Sequence, residues 1–78
     1  MSTEYGAMLK AHRTRLKVAQ TALAQKLGHA SASYIHRRES GEVAMTRAEY
    51  AAAIAGVEAV VADRAESADV VQALAEDA

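Results

Sequence analysis

Apolar positions recur at helical spacing along most of the chain, and the interruptions between the runs predict five helices. In the first, over residues 4–16, Tyr5, Met8, Leu9, His12 and Leu16 fall on one stripe, ringed by Lys10, Arg13, Arg15 and Lys17. Lys17-Val18-Ala19 breaks the period and predicts a link. The second helix starts at Gln20, with Leu23, Ala24 and Leu27 on one face. Gly28 stops it, because glycine takes the positive φ that a helix C-terminal cap often needs. Ser31 or Ser33 offers a hydroxyl to cap the third, which runs through Tyr34 and Ile35 and ends before Gly41. After a loop over 42–45, Thr46 and Glu49 have the spacing of a capping box, in which hydroxyl and carboxylate each satisfy a backbone donor of the helix start. That predicts a fourth helix over 47–55 with Tyr50, Ala53 and Ile54 inward, ended by Gly56. The fifth runs from Val57 into the seventies. Its stripe is Val57, Val60, Val61, Ala68, Val71 and Leu74/Ala75, its outer face is acidic, and its last few residues are expected to fray.

The expected fold is therefore all-α: a compact five-helix domain, with residues 1–56 as its core and residues 57–78 as an acidic C-terminal helix. Composition adds one tension. The 78 residues include no proline, cysteine, tryptophan or phenylalanine, and alanine supplies 20 of the 40 apolar residues. Alanine favours helices but buries little area, and so short a chain usually needs idealised packing or a partner. The fifth helix is thus read in two ways, as a homodimer interface or as the lid of the monomer's own core. The lack of cysteine fits a reducing compartment. With no signal-peptide pattern and no apolar run near eighteen residues, a cytoplasmic protein without membrane contacts is expected.

Net charge of −1 conceals a division along the chain. Residues 1–47 hold eight bases (Lys10, Arg13, Arg15, Lys17, Lys26, Arg37, Arg38, Arg47) against three acids, a balance of +5. Residues 48–78 hold Arg64 against seven acids, a balance of −6. A basic half suits a polyanion, and an acidic half facing elsewhere discourages clustering along it. The third helix carries His36, Arg37 and Arg38 in succession on a short element beside a scaffold helix, a geometry that enters a DNA major groove. The free N–H groups at the start of the second helix favour a phosphate, to which Gln20 adds an amide. Nothing suggests an enzyme: there is no glycine-rich phosphate loop, no cysteine nucleophile and no histidine pair at metal-binding helical spacing. No cofactor or metal is expected.

These residues resemble the phage-repressor and Cro type of helix-turn-helix protein, also called the XRE family, over about residues 9–57. The resemblance is carried by Arg13, Gln20, Leu23-Ala24, Leu27-Gly28, Tyr34-Ile35, and Glu39 followed by Gly41. It implies a lambda-repressor-like fold and a sequence-specific regulator, expected to be a repressor on a palindromic double-stranded DNA operator. It also implies a structural ion pair between Arg13 and Glu39, and a phosphate contact for Gln20. The interval from Gly28 to Glu39 is one residue longer than the family pattern. Placing the extra residue in the turn His29-Ala30-Ser31 keeps Ile35 buried and Glu39 paired. Otherwise Tyr34 takes the buried position and Arg38 the paired one. Arg38 itself stands where the family has a buried leucine or isoleucine, so its stem packs while its guanidinium snorkels, or the helix is rotated.

In the first register Ala32, Ser33, His36 and Arg37 face outward as base contacts. Arg37 leads, because its planar fork matches guanine O6 and N7. Phosphate contacts are expected from Gln20, Tyr34, Lys10, Lys17 and Arg47, with Tyr34 alternatively packing. The rival function is a protein-interaction module, of the antitoxin type for example, whose C-terminal helix binds a protein partner.

Overall fold

A computed structural model describes the backbone of residues 4–77 and the side chains of residues 4–65. Among the described residues the chain is all-helical, with four helices rather than five: α1 Glu4–Arg15, α2 Gln20–Lys26, α3 Ser33–Ser40 and α4 Arg47–Asp77. The predicted fourth and fifth helices are one. Gly56 lies inside α4, where it permits close packing instead of ending the helix. A Cβ built there would sit 2.8 Å from Leu23 Cδ1 and 3.0 Å from Leu27 Cδ2, so the missing side chain lets α4 lie directly on α2. Gly6 does the same for α1. Its Cβ would be 1.9 Å from the Arg38 carbonyl oxygen of α3.

The other two glycines act as punctuation. Gly28 and Gly41 have φ of 84° and 85°, and Gly41 is the left-handed cap of α3. The capping box forms as its spacing predicts. Glu49 Oε1 accepts from the Thr46 N–H at 2.9 Å, and Thr46 Oγ1 accepts from the Glu49 N–H at 3.1 Å. At the start of α3 Ala32 is the N-cap, and Ser31 Oγ accepts a long 3.4 Å bond from the Ser33 N–H.

The core is Leu9, Val18, Leu23, Ala24, Ile35, Met45, Ala53 and Val57, drawn from all four helices and two links. Val57 is fully buried in it, and Val60 and Val61 pack against it. The proximal part of the predicted interface stripe therefore completes the chain's own core. Ala68, Val71, Leu74 and Ala75, and the expected fraying, lie outside the described side chains. On α1 the buried face is Gly6, Leu9 and Arg13, flanked by Tyr5 and Leu16, whereas Met8 is 49% exposed. Tyr5 stacks on Tyr50 of α4 at 4.9 Å between ring centres.

Lys17 closes the α1–α2 link at φ 57°, a left-handed conformation that L side chains rarely adopt. Arg64 of α4 braces it, donating to the carbonyls of Leu16 at 3.0 Å and Lys17 at 2.6 Å. Thirty-one residues of α4, at about 1.5 Å each, set the long dimension of a molecule 52 × 22 × 18 Å. No described helix is long and apolar enough to cross a membrane.

Candidate nucleic-acid interface

The short helix α3 carries most of the candidate residues, and two charged clusters hold it on the scaffold. In the first, Arg13 of α1 and Glu39 of α3 form a two-pronged ion pair, with Nε 2.7 Å from Oε2 and Nη2 2.8 Å from Oε1. Arg13 Nη1 also donates to the Val18 carbonyl at 2.8 Å. The side chains are 9% and 2% exposed, so this pair is desolvated and needs every one of those bonds. Gln20, the first residue of α2, adds a fourth, donating from Nε2 to Glu39 Oε1 at 3.0 Å. One amide N–H of Gln20 is thus committed inside the protein, and the other is left for an outside acceptor.

The second cluster ties α3 to the start of α4. Glu49 Oε2 accepts from Arg38 Nε and from the Tyr34 hydroxyl, both at 3.0 Å. Arg38 Cζ lies 3.8 Å from the Tyr34 ring centre, while the His29 ring stacks on Tyr34 at 3.9 Å. Two groups so close to one ring centre must take opposite faces, giving a layer of arginine, tyrosine and histidine. The Thr46 backbone N–H, with smaller help from Tyr34 and Arg38, holds the Glu49 carboxyl down to about 2. Burial, and then the bond to Glu49, push the Tyr34 hydroxyl above its ordinary value.

These contacts settle the helix register. Ile35 is fully buried and Glu39 is paired with Arg13, as in the register with the extra residue in the 29–31 turn. Arg38 neither packs as an aliphatic nor extends freely into solvent. It is half-buried, bound to Glu49 and to the Tyr34 carbonyl at 3.3 Å. Of the two roles expected of Tyr34, packing describes its surroundings: the hydroxyl donates to Glu49 and the ring lies within the layer.

The opposite side of α3 is bare. Ser33, His36 and Arg37, spaced three and four residues apart on one face, are exposed, and their side chains bond to no described residue. Ala32, at the helix start, is half-buried. The eight cations of the basic half divide evenly. Arg13, Lys26 and Arg38 pair with Glu39, Asp63 and Glu49, and Arg15 donates to His12 Nδ1 at 2.8 Å. Lys10, Lys17, Arg37 and Arg47 are exposed with no described partner.

Sequence reasoning missed three contributors to this arrangement. Gly6, His29 and the fully buried loop residue Met45 carry no local signal, since each matters only for what arrives beside it. Among the described residues no three histidine or acidic side chains gather as a metal would require. Compared with protein-family models, curated proteins and solved structures, the chain matches none.

Proposed function

We propose that the chain is a cytoplasmic, sequence-specific regulator of transcription, a repressor that reads double-stranded DNA with the exposed face of α3. The observation that carries this reading is the two-sided character of α3. Ile35, Arg38 and Glu39 lock one side, and Ser33, His36 and Arg37 stand free on the other. A face held rigidly yet left unbonded is what base recognition asks of a helix-turn-helix pair, because ordering the reader in advance removes an entropic cost of binding. Arg37 reads guanine, Ser33 and His36 contact neighbouring edges, and Ala32 meets a thymine methyl from the helix start. Lys10, Lys17 and Arg47 hold phosphates, joined by the remaining N–H of Gln20.

One α3 reads only a few base pairs, so the proposal includes a homodimer whose two readers meet half-sites about 34–36 Å apart. A protein-interaction module remains the second reading. It is favoured by the length of α4, which continues for thirteen residues past Arg64, where its side chain meets the α1–α2 link.

The test is selection of a site from random duplexes, followed by titration of duplex, single-stranded DNA and RNA. Arg37→Ala should lose about 1–3 kcal/mol at one base position and relax preference there, whereas Gln20→Ala should weaken all sequences alike. Unchanged affinity and preference in Arg37→Ala would refute the assignment of α3.

A further inference from the structure

Beside the Tyr5–Tyr50 stack, α1 and α4 leave a shallow groove of about 350 Å³, lined by Met8, Ala11, His12, Arg15 and Tyr50. We propose that this groove receives the distal turns of α4 from a second copy of the chain, each copy inserting into the other around a two-fold axis. The inference rests on the homodimer in the reading above and names the surfaces that form it.

The groove is unfinished as it stands. Met8, Ala11, His12 and Arg15 recur every three or four residues and so form one face of α1. Met8, the large exposed hydrophobic of the described residues, stands at its edge. His12 Nε2 is buried with no hydrogen-bond partner, although the other ring nitrogen is bonded to Arg15. An apolar rim with an unmet polar atom beneath it suits an amphipathic helix bearing both kinds of group.

The distal part of α4 has that character in its sequence. Val70, Val71 and Leu74 recur at helical spacing, Ser67 and Gln72 supply uncharged polar groups, and the residues from Glu66 onward include four acids and no base. The groove carries Arg15, and four of its five lining residues come from the basic half of the chain, so the approach of that acidic segment is attractive. The chain cannot make this contact within itself. Tyr50 and Val71 lie on one continuous helix, separated by some 30 Å at about 1.5 Å per residue. A second copy can, and the register is self-consistent. If Val71 of one copy meets Tyr50 of the other, the two-fold axis passes near Val60 and Val61, and the reciprocal contact forms at the same height.

Sedimentation equilibrium on the full chain tests this, with Met8→Glu as the groove variant and Val71→Glu combined with Leu74→Glu as the tail variant. Ala11→Glu, at another exposed groove position, is a second groove variant should Met8→Glu fail to fold, as judged by circular dichroism. The expected result is a dimer for the parent chain, with dissociation constants raised at least tenfold by groove and tail variants alike. If the tail variant dissociates while the folded groove variants do not, the docking is overturned and the homodimer stands. A dimer unaffected by the tail variant has the same consequence. A parent chain that is monomeric and folded at tens of micromolar overturns the docking and the homodimer together.

Discussion

Among the described residues three salt bridges join an early basic residue to a later acid, and their surroundings differ more than their chemistry. Arg13–Glu39 is almost sealed, with side chains 9% and 2% exposed. Arg38–Glu49 is partly open at 17% and 26%, and Lys26–Asp63 lies on the surface at 38% and 59%. In the first, two parallel bonds, the Val18 carbonyl and Gln20 together satisfy a desolvated pair. The second is one contact among several on a carboxylate that also caps α4. The third is a single contact between side chains open to water. Desolvation therefore ranks them: removing a partner matters in proportion to how little water can replace it.

The comparison can be broken at its strongest point first. Glu39→Ala leaves the Arg13 guanidinium buried without its counter-charge and should lose about 3–5 kcal/mol, enough to unfold much of so small a domain. Urea melts followed by circular dichroism measure this, and a loss below about 1 kcal/mol would contradict the ranking. Glu49→Ala should come second, at about 0.5–2 kcal/mol, the range for loss of a helix cap. Lys26→Ala should fall within about 0.5 kcal/mol of the parent.

Acid sharpens the middle case. Folding holds the Glu49 carboxyl at about 2, below its ordinary 4.5, so its ionised form is favoured in the folded chain. The resulting stability is fully present above about pH 5. It disappears as pH falls through the folded value near 2, where both states are protonated. Melts of the parent chain and Glu49→Gln between pH 6 and pH 2 should therefore converge as pH falls. A gap that stays constant would mean that Glu49 acts through packing rather than through charge.

The four glycines show which parts of this fold were legible in advance. Gly28 and Gly41 sit where the apolar period stops, and each takes the positive φ expected there. Gly56 also sits between two apolar runs, and the same logic fails for it. Helix termination is decided within about one turn, so a few neighbouring residues carry the signal. Close packing is decided by an atom from another helix, here Leu23 Cδ1 against Gly56 and the Arg38 carbonyl against Gly6. No local window contains that information. Gly56→Ala should accordingly fail to deliver the stabilisation of about 1 kcal/mol that alanine's better helix propensity offers, because Leu23 Cδ1 and Leu27 Cδ2 must shift to admit the methyl; thermal melts measure the shortfall.

By itself, then, the sequence left two registers open for α3 but determined the helical class, the span of α2 and α3 and the box that starts α4. Each follows from spacing along one short element, where backbone caps and the helical period act over three or four residues. Only the tertiary structure decided that the predicted last two helices are one, that Val57 belongs to the core, and that Tyr34 and Arg38 are bound within the protein. Those outcomes depend on partners distant in the chain: Leu23 for Gly56 and Glu49 for Tyr34 and Arg38. Their energies come from excluded volume and desolvation, which exist only once the helices meet.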